Sequence, residues 1–553
     1  MLSSLQFRIG SGPGEEPLRL PIEPSITIFV GPNNSGKSLA LSEIRKGVNV
    51  GRLDGSSVIS QVVVAPLTLD QANDYSASIS SPAQLDELLP ADHIVAVLQN
   101  GRNHLHLPRL IDVLTNPEVD RQYFGTYYAS NYLLNLDGET RVSLCNPQER
   151  GDLKSPTLPF ARLLTNNNRR RRLSNLVHEA TGQHLVIDAT VGSQLQIRFS
   201  DELPDDERSL SDSNLEFMRN ARPLASVSDG VKAYSGILLQ MLAGDPKIIF
   251  IDEPEAFLHP ALARSLGTEI ANAAVNEGKV VFASTHSPQF VMGAIESGAR
   301  VNIVRLTYSQ NVGTARLLQN ENLRQLMNDP LLRSTGVLEA IFYNFVAVTE
   351  ADADRAFYGE INNRLVSNGD RRGIRAVLFL NANGKDTVAQ IVAPLRALGI
   401  PTASVVDLDV LKEGGVVWTR HLLGAGIPDG ERAPYGQRRA TVLASLRARA
   451  PNNFKTDGGV GVLAGAERET ADNLLGDLAR YGMFVVPVGE VEAWLPGLNV
   501  PRAKGRWLRK IFSAMANDPA SPGYVRPGPS DVWDFIGQMR GWLSDINRRG
   551  IPN

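Results

Sequence analysis

Eight residues of the 553-residue chain, Gly31-Pro32-Asn33-Asn34-Ser35-Gly36-Lys37-Ser38, have the types and spacing to hold a polyphosphate. Glycines let the backbone curl so that its N–H groups face phosphate oxygens. Lys37 reaches the β- and γ-phosphates, and the Ser38 hydroxyl can ligate Mg²⁺. The β-branched run ITIFV at 26–30 predicts a buried strand entering this loop, and SLALSEIRKG predicts a helix whose positive N-terminal end meets the anion. Gly31, Asn33, Asn34, Ser35, Gly36, Lys37 and Ser38 are thus the candidate nucleotide-binding residues, with ATP and Mg²⁺ as cofactors.

Far downstream, KIIFIDEP at 247–254 predicts a second buried strand that ends in two carboxylates. Asp252 is suited to hold Mg²⁺ and Glu253 to polarise an attacking water. Alone, such a pair also arises as a helix cap or a solvated acidic pair, so its neighbours matter. VSDG at 227–230 precedes an apolar helical stretch, and VVFASTHSP at 280–288 predicts a strand ending at His286.

A second group of acids follows. The run YNFVAVTE predicts a strand ending in Glu350, and ADADRAFY predicts a helix with Asp352 and Asp354 in its first turn. PTASVVDLD predicts a strand that runs into Asp407 and Asp409, which alternation would place on one side of an extended segment. Carboxylates meeting at the C-terminal edge of an α/β sheet repel unless a divalent cation sits among them. With no Cys or His nearby, hard oxygen ligands favour Mg²⁺ or Mn²⁺ over zinc, and the chemistry that suits them is phosphodiester cleavage. Surface carboxylates at strand ends are common singly; the ordered set is not. Near the end, RAKGRWLRK at 502–510 offers cations and Trp507 for phosphates, Lys504 foremost, with a solvated face as the bland alternative.

Strands alternate with helices around all these residues, so an α/β fold of two or three domains is expected at this length. A hydrophobic fraction of 42% and a charged fraction of 21% exclude a disordered or fibrous chain. A formal charge of −3 excludes a generic polyanion binder, so contacts to nucleic acid must be local patches. The single Cys145 excludes an intrachain disulfide and reads as a buried small hydrophobe. No targeting pattern or long apolar run is present, and a cytoplasmic location is expected. Residues 50–220 read as an insertion between the halves of the nucleotide site, with a hairpin signal in NLDGETRV and an arginine run at 169–172. No heptad repeat long enough for a coiled-coil arm occurs. A polar helical connector is expected at about 320–340.

The order of phosphate loop, Ser-x-Gly, strand-Asp-Glu-Pro and strand-Ser-Thr-His-Ser-Pro resembles the ABC-type ATPase heads of the structural-maintenance, RecF and OLD (overcoming lysogenisation defect) families over residues 1–335. The resemblance implies that Ser228 and Gly230 meet the γ-phosphate of a nucleotide on a second subunit, and that His286 contacts it within its own subunit. Asp229 stands where the family has glycine. The strand-Glu and strand-Asp-x-Asp pattern over 343–500 resembles a topoisomerase/primase (TOPRIM) domain, and a head followed by such a domain is the OLD architecture. Carried over by position, Glu350, Asp354, Asp407, Asp409 and Glu490, preferred to Glu492, are the metal residues; Ala351 replaces the family's glycine.

The expectation is therefore an ABC-type P-loop head (1–335) followed by a TOPRIM (Rossmann-like) domain with a helical tail (343–553). It implies an ATP-hydrolysing, Mg²⁺-dependent DNA endonuclease or nickase in anti-phage defence. Partners would be DNA, a second copy or higher homo-oligomer, and an accessory or phage-encoded trigger protein, with no membrane. Two alternatives stand: an ATP-driven sensor or scaffold with a weak or inactive TOPRIM domain, and a RecF-like repair ATPase.

Overall fold

The computed structural model describes the chain apart from residues 13, 83–88, 99–100, 139–140, 310, 319–320, 322, 325–326, 328–329, 331–335, 503–504 and 552–553. It divides into two compact units, Met1–Asn320 and Glu321–Asn553. Most of the connector expected at 320–340 lies outside the described residues, as does Lys504. Among the described residues no helix is long and apolar enough to cross a membrane.

The first unit is built on a six-stranded sheet in the order Val312–Leu318, Val301–Ser309, Ser25–Val30, Val280–Ser284, Ile248–Asp252, Leu133–Leu136. All neighbours are parallel except the first pair, a terminal hairpin. Parallel strands are covered on both faces, which is why Ser25–Val30 is buried at every position. Phe29, Phe282 and Phe250 stack across three adjacent strands at centroid distances of 6.5 and 5.4 Å. A small antiparallel sheet of Arg19–Pro21, Leu2–Phe7 and Ile59–Val64 accompanies the helix Lys37–Val50. Gly47 lets that helix lie close on Val62, where a Cβ would come within 2.5 Å of a methyl group.

The hairpin expected in the 50–220 region is corrected. Leu133–Leu136 is not half of a hairpin: it pairs in parallel with Ile248–Ile251 at the edge of the main sheet, and Arg141–Cys145 is a 3-10 helix. The buried parallel partner outcompetes the local turn preference of Asp137-Gly138. The region supplies an edge strand to the six-stranded sheet. Within the arginine run only Arg170 is buried, and Arg171 and Arg172 are exposed. Arg169, Arg170 and Arg172 pair with Asp245, Glu207 and Glu277 at 2.5, 3.2 and 2.5 Å.

The second unit carries a wholly parallel sheet in the order Val377–Asn381, Phe345–Thr349, Thr402–Val406, Met483–Val485. The first two crossovers run through the helices Asp352–Ser367 and Lys385–Ala397. The order reverses between Phe345–Thr349 and Thr402–Val406, and loops leaving such a pair diverge to opposite faces and open a crevice at their C-terminal ends. Helices Trp507–Met515 and Val532–Ser544 close the core through Trp507, Trp533, Phe535 and Met539. Trp507 is 1% exposed and packs 5.2 Å from Phe357, so it does not offer itself to phosphates as expected.

Candidate functional site

The strand Ser25–Val30 ends where the phosphate loop begins, and the loop is shaped by backbone that only certain residues tolerate. Gly31, Asn34 and Gly36 have φ of +139°, +61° and +93°. A Cβ on Gly31 would meet the Leu306 carbonyl at 2.0 Å, so no other residue fits. Lys37 is buried and its ammonium donates to the carbonyls of Gly31 and Pro32 at 3.0 and 2.8 Å. Burial pulls its pKa down to about 8, against the carboxylates of Glu253, Asp252 and Glu255. A buried cation and the Ser35 hydroxyl, buried with no hydrogen-bond partner, suit an incoming phosphate.

The strand Ile248–Asp252 places its acids beside this loop. Asp252 Oδ1 accepts from Ser38 Oγ at 3.0 Å and from Ser284 Oγ. The Ser38–Asp252 pair is the arrangement that would hold Mg²⁺ next to a nucleotide. Glu253 adopts φ +51°, its N–H bound to the Ser284 carbonyl at 2.8 Å. His286 follows the strand Val280–Ser284; burial, then the charge of Lys37, holds its imidazole below the ordinary value.

Ser228 and Gly230 lie at the start of the helix Asp229–Ala243. Ser228 caps it by accepting from the Val231 N–H at 3.4 Å, and Asp229 turns to Lys232 at 2.9 Å. Gly230 is required by crowding: a Cβ would come 2.8 Å from the Phe257 carbonyl.

Two residues of this site escaped the sequence reading. Glu255 is half-buried, and desolvation raises its pKa; its carboxylate accepts from Thr285 Oγ1 and the His286 N–H at 2.8 and 2.7 Å, holding the histidine segment. Arg141 is fully buried and donates to the carbonyls of Asp252 and Glu253. Glu255 had a signal, its place two residues after Glu253; Arg141 had none.

In the second unit, Glu350 leaves Phe345–Thr349 and Asp407 leaves Thr402–Val406 at the topological reversal. One carboxylate oxygen from each of Glu350, Asp407 and Asp409 lies within 4.8 Å of the others. Glu350 Oε1 also accepts from the Asp407 N–H at 2.9 Å, which locks the two loops together. The extended segment expected through Asp407 and Asp409 is absent. The strand ends at Val406 and residues Leu408–Lys412 form a 3-10 helix that buries Leu408, Val410 and Leu411. The hydrophobic side chains decide that turn, and it still delivers both acids.

Burial, then the negative charge of Asp407, pushes Glu350 up to about 8 and Asp354 up to about 7, and burial raises Asp407. Asp354 is the buried acid of its pair and accepts from the Ala351 N–H at 3.0 Å, whereas Asp352 pairs with Arg355 at 2.8 Å in solvent. Glu490 is buried at the start of the 3-10 helix Val491–Ala493, with Glu492 half-buried in it. Neither Asp354 nor Glu490 belongs to the tight trio.

A lysine sits among these acids that no motif announced. Lys455 Nζ lies 2.6 Å from Asp407, 3.5 Å from Asp409 and 4.0 Å from Glu490. Gly489 admits it, because at φ +110° a Cβ there would strike the Lys455 carbonyl at 2.0 Å. Lys385 approaches from the other side, bound to Glu413 and 4.0 Å from Asp409. Asp409 Oδ1 remains buried with no hydrogen-bond partner. Hard oxygen donors in excess of the local cations, one of them orphaned, fit a divalent ion.

Residues 135–292 match the family model described as "AAA domain, putative AbiEii toxin, Type IV TA system". The Old nuclease of Escherichia phage P2 is 25% identical over 184 residues, which span 32% of this chain and 29% of that protein. Among solved structures, an SmcHead bound to the C-winged helix domain of ScpA aligns with 14% identity and a TM-score of 0.34, over 59% of this chain and 99% of that one. The SMC head domain from Thermotoga maritima aligns with 13% identity and a TM-score of 0.28, over 57% and 99%. The chain is an α/β protein with parallel sheets whose first unit carries a P-loop ATPase domain.

Proposed function

We propose that this protein binds and hydrolyses ATP in a head of residues 1–335 and cuts or nicks DNA, with Mg²⁺ or Mn²⁺, in a TOPRIM-type domain of residues 343–553. The observation that carries the nuclease reading is the meeting of Glu350, Asp407 and Asp409 within 4.8 Å at the sheet's reversal point. The match to Old nuclease supports it. Glu350, Asp407 and Asp409 hold the metal, with Asp354 and Glu490 behind them. A divalent ion there supplies charge stabilisation at the scissile phosphate and activates water. The chain's own residues hold that geometry in advance: the Asp407 N–H fixes Glu350, and Lys455 offsets carboxylate repulsion before the ion arrives.

In the head, Lys37 and Ser35 receive phosphates, Ser38 and Asp252 hold Mg²⁺, Glu253 orients water and His286 contacts the γ-phosphate. Ser228 and Gly230 serve a nucleotide on a second copy, so the active form is a homodimer or larger. Anti-phage defence, with an accessory or phage-encoded trigger, is the setting that the OLD resemblance supplies, and a cytoplasmic location is part of the proposal.

Nicking of supercoiled plasmid by wild type and Glu350→Ala, with Mg²⁺ or Mn²⁺ and with or without ATP, tests the reading. Cleavage should fall at least about 100-fold in the variant. Equal cleavage by both proteins removes Glu350 from the mechanism. Lys455 inside the acidic group favours a second reading, an ATP-driven sensor or scaffold whose second domain acts through a partner. Absence of cleavage by wild type across metals and nucleotides selects it.

A further inference from the structure

The region between the halves of the nucleotide site sends one side chain into the hydrolytic turn. Leu136 pairs with Ile251 at the end of the edge strand, so the ladder stops one residue before Asp252. The Asp252 carbonyl on that edge would be left without a ladder donor, and a buried carbonyl without one costs on the order of 1–3 kcal/mol. Arg141, 0% exposed, fills the place: one guanidinium nitrogen donates to the Asp252 carbonyl and the other to the Glu253 carbonyl. The fork thus spans the peptide unit whose second residue, Glu253, is held at φ +51°. For a non-glycine residue that region is strained, and it persists only when surrounding bonds over-determine it.

The 3-10 helix that carries Arg141 is itself seated on another element of the site. Gly236, inside the helix Asp229–Ala243, faces it so closely that a Cβ would lie 2.8 Å from Leu144. Cys145 Sγ donates to the Lys232 carbonyl at 3.4 Å, one turn further toward the Ser228 cap. The same short helix therefore touches the helix that begins at Ser228 and grips the turn that bears Glu253.

We infer that Arg141 is a positioning residue for ATP hydrolysis, holding the Asp252–Glu253 turn in its strained conformation and in register with the helix Asp229–Ala243. This rests on the ATPase reading of the head. Two planar bonds to adjacent carbonyls need a guanidinium; an ammonium can satisfy one with comparable geometry, and an amide cannot reach both. Arg141 is buried and bound to backbone carbonyls, so its loss should appear in turnover rather than in nucleotide affinity.

The test uses the full chain as wild type, Arg141→Lys, Arg141→Gln, Glu253→Gln and the Arg141→Gln/Glu253→Gln double variant. Thermal unfolding, Kd for a fluorescent ATP analogue with Mg²⁺, and kcat and KM for ATP are measured for each. Arg141→Gln should lower kcat by roughly 10- to 100-fold with Kd within about threefold, and Arg141→Lys should recover part of the loss. In the Glu253→Gln background, removal of Arg141 should cost less than about twofold more, because both act through one carboxylate. Wild-type kcat in a folded Arg141→Gln protein overturns the inference, as do fully multiplicative losses in the double variant. If Arg141→Gln fails to fold, Arg141→Lys decides: wild-type kcat, or a Kd loss equal to its kcat loss, overturns it. A wild-type chain that binds ATP without turnover overturns the ATPase reading instead, and the inference with it.

Discussion

The nucleotide loop and the acidic crevice solve opposite electrostatic problems. In the loop one cation, Lys37, is buried against its own backbone carbonyls, and most of the donors lie within eight consecutive residues. In the crevice several carboxylates are gathered from positions 350, 354, 407, 409 and 490, and a lysine from position 455 offsets them. A contiguous stretch can set its geometry through φ angles and glycines, as Gly31 and Gly36 do. Dispersed acids cannot, and their stability depends on a counter-charge that tertiary structure must bring. On the proposed reading the first site accepts an anion, whereas the second exchanges one cation for another.

The largest effect should come from breaking the self-contained site. Lys37→Ala should weaken nucleotide binding at least about 100-fold, read with a fluorescent ATP analogue. Retained binding would mean that the loop's backbone alone suffices and that the contrast with the crevice is misdrawn. Next comes the counter-charge: Lys455→Met should raise Mn²⁺ affinity by roughly tenfold, measured by calorimetry or electron paramagnetic resonance, since the ion no longer competes with an ammonium. Unchanged or weaker affinity would make Lys455 a metal-independent structural strut.

The smallest effect is the pH response of the crevice. With Glu350 near 8 and Asp354 near 7, ion binding must release protons, so Mn²⁺ affinity should rise by roughly fivefold from about pH 7 to pH 8 and level off above. The sign for stability is the reverse. A native carboxyl pKa above the unfolded value of 4.5 means that the metal-free fold binds more protons than the unfolded chain, so Tm should fall as pH rises from about 4.5 through 8. A flat affinity profile over that range would show that the acids are already ionised, and would place the crevice beside the loop as a second preset site.

What the amino-acid sequence determined by itself was local. The strand 26–30, the loop Gly31 to Ser38, the strand into Asp252 and Glu253, and the strands into Glu350 and Asp407 were all readable, because buried β-branched runs and positive-φ glycines act over a few residues. The ambiguity between Asp352 and Asp354 was not readable, since both suit a first helical turn and only packing buries one. Nor was the turn at Asp407, where alternation suggested extension and buried Leu408, Val410 and Leu411 pulled the chain into a 3-10 helix. Tertiary structure alone decided Arg141 and Lys455. Their partners lie 111 residues away at Asp252 and, for Lys455, on separate loops. A buried charge earns its place by what surrounds it in space, and a single arginine or lysine in a loop carries no trace of that in its neighbours along the chain.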